Sequence, residues 1–168
     1  MWSRRPTLPF DVRTALGLTR ADHVLASAPL ADGGWAVATN AELISTRSGV
    51  VVRRPWCDVD RAAFDPAHDI VTVQWVDAEP DLRLRTVDSA KSWLPQVVRE
   101  RVEWSVVLGE EVALPGGRTA KVAVRRDVDG SLFSQVLAGP RVDLDDPAVA
   151  SLVDAAEQRV RSAVGLPW

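Results

Sequence analysis

The densest collection of groups able to do chemistry is Asp58, Asp60, Asp65, His68 and Asp69. Carboxylates and an imidazole in one short stretch could hold a divalent cation or exchange protons. Their order follows no calcium-loop spacing, and Phe64 and Pro66 interrupt it. Asp and His also fill turns and caps, because their side chains bond nearby backbone. Turn chemistry is the reading adopted, so no metal and no cofactor is expected. The enzymatic alternative is a metal-assisted hydrolase using Asp58, Asp60, Asp65 and His68.

Asp127-Val128-Asp129-Gly130 resembles the start of a calcium loop but lacks the acidic residue at the twelfth position, and it reads as a hairpin turn. Asp143, Asp145 and Asp146 precede a helix and read as caps. No nucleophile elbow and no glycine-rich phosphate loop occurs. His23 opens a strand, and Cys57 follows Trp56 in an apolar setting, where a small buried thiol is expected. No catalytic residue is assigned, and the chain is read as a non-enzyme.

The remaining candidate is an arginine surface. Arg83 and Arg85 share one face of an alternating strand; Arg53, Arg54 and Arg125, with Lys121 and Arg126, are expected near them on a folded sheet. Arg rows grip carboxylates or phosphates with paired N–H groups. Arg83, Arg85, Arg53, Arg54 and Arg125 are therefore the candidate binding residues, for a protein partner through a sheet face or for a small anionic ligand.

The elements that must position these groups follow from periodicity. Residues 1–20 read as a tail and a short helix, Asp11 to Leu16. Strands are expected at Val24–Leu30, Trp35–Thr39, Glu42–Thr46, Val50–Arg54, Ile70–Val76, Asp81–Thr86, Ser105–Leu114, Thr119–Arg126 and Leu132–Leu137, with 56–64 as an irregular continuation of the fourth. Val71, Val73 and Trp75 alternate with Thr72 and Gln74, which marks a half-buried strand. Trp35, Trp75 and Trp93 fall in core periods, and Trp2 and Trp168 read as frayed ends. A helix of about 91–103 carries the stripe Leu94, Val98, Val102, with Pro95 in its first turn. A second, about 147–164, is capped by Asp146 and striped by Val149, Leu152, Val153, Ala156, Val160, Ala163 and Val164. The fold class expected is α+β: about eight or nine antiparallel strands with a middle and a C-terminal helix, in a single domain over 21–165.

Composition narrows the function classes. The chain has 168 residues, 46% hydrophobic, with a formal net charge of −3. That composition is globular and argues against a uniformly basic nucleic-acid binder. One cysteine excludes an internal disulfide framework, which fits a cytoplasmic location. Ser3-Arg4-Arg5-Pro6 is not followed by an apolar stretch, so it is not read as an export signal. No apolar run approaches the ~20 residues of a membrane-spanning helix.

Gly34-Trp35-Ala36-Val37-Ala38-Thr39-Asn40, then Leu43-Ile44, then Trp56-Cys57-Asp58-Val59, then Ile70–Trp75 and a closing helix resemble bacterial PH-like (GRAM-like) domains. The resemblance covers about 21–104. It implies a curved antiparallel barrel capped by a helix and acting as a binding scaffold. The Arg-Lys ligand motif of phosphoinositide-binding relatives is missing, so lipid binding is not implied. The strands after Ser105 and the last helix lie beyond the pattern.

Overall fold

The computed structural model describes residues 7–77 and 79–167. Trp2 and Trp168 lie outside them. The order of elements is α1 (Phe10–Ala15), β1 (Val24–Pro29), β2 (Trp35–Thr39), β3 (Glu42–Arg47), β4 (Val50–Pro55), β5 (Val59–Asp65), β6 (Ile70–Trp75), β7 (Leu82–Arg85), α2 (Ser89–Ser92), α3 (Leu94–Ser105), β8 (Val106–Leu114), β9 (Arg118–Arg126), β10 (Leu132–Ala138) and α4 (Pro147–Ala163). The chain is α+β, with its described strands in three antiparallel sheets ordered β1-β2-β3-β4, β5-β6-β7 and β10-β9-β8. It divides into two compact units, one built from residues up to Trp75 with Glu79–Val102, the other mainly from Glu103 onward.

In the first unit the hairpins follow from their turns. Gly33 takes a positive φ of 86°, which only glycine adopts without strain. Gly34 is glycine for a different reason: a Cβ there would collide with the Thr46 carbonyl oxygen. Ala28, Ala36, Ala38, Leu43, Trp56, Val59, Val71, Val73, Trp75 and Leu84 share one core with Leu94, Val98 and Val102 of α3. The expected alternation holds, since Val71, Val73 and Trp75 are buried while Thr72 and Gln74 are half-buried. The two sheets meet at one bridge, Leu30 with Thr86. They are not closed into a barrel, and Pro29 helps to explain why. Its carbonyl accepts from Val87, but it has no N–H to return and cannot extend the ladder.

Several expectations are corrected. Residues 56–64 do not continue β4: Trp56–Asp58 form a 3₁₀ turn, and Val59–Asp65 pair with β6 as a strand of their own. Among the described residues ten strands result, not eight or nine. The middle helix is split. Trp93 sits in the left-handed region at φ 57° between α2 and α3 and is exposed rather than in the core. Pro95 does fall in the first turn of α3.

In the second unit α4 packs on one face of its sheet. Val149, Val153, Ala156 and Val160 meet Val112, Leu114, Ala120, Val122 and Val124. The Asp146 carboxylate accepts from Ala148 N–H at 2.9 Å, capping the helix as its sequence requires. Leu152, expected on the buried stripe, is exposed.

Candidate functional site

The structure sorts the five candidate arginines by what each already touches. Arg53 is on β4 opposite Ile44, two residue-pairs from the strand end where Glu42 begins β3. Its guanidinium forks onto the Glu42 carboxylate and also donates to the Leu16 carbonyl at 2.9 Å. The Glu42 contact raises the Arg53 pKa further, so this cation is fixed in place. Arg54 points to the other face of β4. It pairs with Asp58 at 3.0 Å and lies 4.6 Å from the centre of the Trp75 ring, a cation–π arrangement. Arg125 belongs to the second unit and is fully buried, with Nη1 3.5 Å from Ser105 Oγ. It is no surface residue, which corrects its place among the candidates. Arg126 stacks 4.9 Å above Trp104.

Arg83 and Arg85 remain. Both are exposed on β7, an edge strand of four residues. Leu84 between them is fully buried, so the pleat turns both guanidiniums to the same side. Their side chains have no hydrogen-bond or ion-pair partner among the described residues. The Arg83 carbonyl accepts from Arg47 Nη1 at 3.4 Å, and Arg47 itself pairs with Asp32. Asp32 is held below the usual carboxylate range chiefly by that bond. Arg85 also borders a shallow concavity of about 420 Å³ with His68, Asp69, Thr86 and Val87.

The Asp/His stretch is dispersed. Asp58 serves Arg54. The Asp65 carboxylate accepts from Ala67 N–H at 2.9 Å and meets His68 Nδ1 at 2.7 Å, closing the turn between β5 and β6. The His68 bond lowers the Asp65 pKa. Asp69, at φ 55°, accepts from the Ser89 backbone and hydroxyl. Among the described residues no three His, Cys, Asp or Glu side chains converge as metal ligands would. Asp127 and Asp129 bond the backbone of their own hairpin turn. Cys57 is buried, and His23 is exposed just before β1.

No helix among the described residues is long and apolar enough to cross a membrane. Compared with family models, with curated proteins and with solved structures, the chain matches none.

Sequence reasoning missed which arginines are consumed. The Glu42–Arg53 pair was open to inspection, since β3 and β4 form a hairpin and their register puts those side chains within reach. The Arg54–Trp75 contact joins two sheets and carries no local signal.

Proposed function

We propose that the chain is a non-catalytic binding scaffold of the cytoplasm, and that Arg83 and Arg85 take an acidic segment of a protein partner. The observation that carries this is the pair of unpartnered guanidiniums on one face of a short edge strand. Residues two apart on a strand are separated by roughly 6.5–7 Å, so both can address one acidic stretch. Each Arg fork matches a carboxylate, which a neutral surface cannot offer. The first unit also supports the PH-like reading. A four-stranded sheet precedes a three-stranded one, and a helix that follows them enters their shared core.

The test is calorimetric titration of a glutamate-rich peptide, and separately of inorganic phosphate, into the wild-type chain and the double variant Arg83→Glu with Arg85→Glu. The peptide is expected to bind the wild type in a salt-sensitive way and to bind the double variant at least about tenfold more weakly. Phosphate binding alone would replace the protein partner by a small anion. Equal peptide affinity and salt dependence in a normally folded double variant would refute the site.

A further inference from the structure

Six of the ten strands lie at the ends of sheets: β1, β4, β5, β7, β8 and β10. An edge strand presents unpaired N–H and C=O groups, and proteins guard such edges with charge, proline, bulges or shortness. Five of the six are guarded. β1 has a register shift near Val24 and ends in Pro29. β4 carries Arg53, Arg54 and Pro55. β5 carries Asp60, Arg61 and Asp65 and a register shift. β7 is short and carries two arginines. β8 carries Glu110, Glu111 and a register shift.

β10 has none of these devices. Its sequence is Leu132-Phe133-Ser134-Gln135-Val136-Leu137-Ala138, with no charge and no proline. It runs against β9 in unbroken register. Leu132, Phe133, Val136 and Leu137 are each left only half-buried. Gln135 Oε1, at the middle of the strand, is buried without a hydrogen-bond partner among the described residues.

We propose that the chain forms a two-fold homodimer through β10. The two β10 strands pair antiparallel about Gln135 and join two three-stranded sheets into one of six. The hydrogen-bond phase allows this. Asp127 N–H donates to the Ser131 carbonyl at 2.8 Å where the β9–β10 hairpin closes. Counting on in twos, Phe133, Gln135 and Leu137 bond to β9, while Leu132, Ser134, Val136 and Ala138 aim their N–H and C=O groups at the free edge.

With Gln135 on the axis, Ser134 of each copy exchanges backbone bonds with Val136 of the other, and Leu132 does so with Ala138. Gln135 then faces its own copy across a non-hydrogen-bonded position, where side chains stand closest. Once each amide turns from its buried position toward the axis, its NH₂ donates to the Oε1 of the other, supplying the partner that Oε1 lacks in the single chain. Phe133 packs beside Leu137 of the second copy. Charge decides for a second copy as the occupant: a two-fold axis brings a strand against itself, so any charge near the axis meets its like, and β10 has none. The contact is isologous and closes at two subunits.

The test is sedimentation of the full chain, with two variants. Val136→Pro removes an N–H that points only at the second copy, so the β9 ladder is kept. The wild type is expected to be a dimer at micromolar concentration, and the variant's dissociation constant to rise about tenfold or more, from two lost bonds per dimer. Gln135→Cys is the independent arm. Opposed Cα atoms about 4.5 Å apart suit a disulfide, so oxidation should give a covalent dimer whose cross-linked peptide maps to position 135. The wild type, with only buried Cys57, is the control. A wild-type chain monomeric up to ~100 µM, where a specific interface would already assemble, overturns the proposal. So does a dimer that Val136→Pro leaves unchanged and Gln135→Cys fails to cross-link. If Val136→Pro does not fold, the cross-link decides.

Discussion

Replacing Trp56 by Ala tests the organisation of the first unit most directly. Trp56 is the largest of the fully buried side chains, at 2% exposure. It sits in the turn that hands the chain from β4 to β5, and its indole N–H donates to the Thr39 carbonyl at 3.0 Å. A tryptophan buries roughly 150–250 Å², which at about 25 cal/mol per Å² gives an upper bound of about 4–6 kcal/mol. Measured Trp→Ala costs of about 3–5 kcal/mol lie within that bound, and the Thr39 carbonyl loses a partner as well, worth about 1 kcal/mol. A loss of about 4 kcal/mol is expected. With a urea slope of about 2 kcal/mol per M, the midpoint drops by about 2 M. Trp56→Phe keeps an aromatic ring but not the N–H, and should lose about half as much or less. Far-UV circular dichroism is the suitable probe, because seven tryptophans blur fluorescence. A Trp56→Ala midpoint within about 0.5 M of wild type would refute the placement of Trp56 at the hinge of this core.

Gly34→Ala should destabilise by several times the ~1 kcal/mol of an ordinary glycine change. The obstacle is the Thr46 backbone carbonyl, not a movable side chain; an unchanged thermal midpoint would contradict the close β2–β3 approach. Acid should destabilise the fold. Asp22, Asp32, Asp65, Asp88 and Glu110 are all held below their ordinary values, Asp22 chiefly by the Thr19 backbone and the others by Arg47, His68, Lys91 and Arg159 respectively. The unfolded chain therefore binds more protons than the native one. Their stabilisation is fully present above the ordinary carboxylate range and is lost as pH falls through the lowered native values. Urea midpoints measured between pH 6 and pH 3 should fall across the acid end, and a flat profile would count against these contacts. The Arg83→Glu, Arg85→Glu variant should unfold within about 0.5 kcal/mol of wild type, as exposed positions do; a larger loss would place those side chains in contacts they do not make here.

Local sequence carried much of the fold because most elements are punctuated locally. Asp146-Pro147 starts α4, and paired glycines or Asp-Gly turn the hairpins. β5 escaped because Val59-Asp60-Arg61-Ala62-Ala63-Phe64-Asp65 does not alternate cleanly, and a register shift between Val59 and Arg61 breaks its phase against β6. Trp93 escaped for a related reason. It continues the helical period of α3 in sequence, but the chain turns left-handed at that residue, and the period does not register a change of direction. Leu152 lies at the margin of its stripe, and only the position of the sheet decides that Val153 is covered and Leu152 is not.

The candidate site shows the same limit from the side of electrostatics. Alternation could state that Arg83 and Arg85 share a face, because that depends on two residues of one strand. It could not state that Arg54 stacks on Trp75 or that Arg125 is buried beside Ser105, because those partners arrive from other elements, whereas the Glu42–Arg53 pair lies within one hairpin. This pairing also changes what the net charge of −3 means for binding. Charges beyond about 8 Å are largely screened at physiological salt, so the whole-chain excess of acid adds little at β7. Glu42, Asp58 and Asp32 are each committed to Arg53, Arg54 and Arg47. The nearest charges to a ligand on that strand are the two guanidiniums it carries, with Asp81 just before the strand and Asp69 beside Arg85. On the function proposed above, a short acidic segment is held by close-range contacts to these exposed arginines, and raising the salt should weaken its binding.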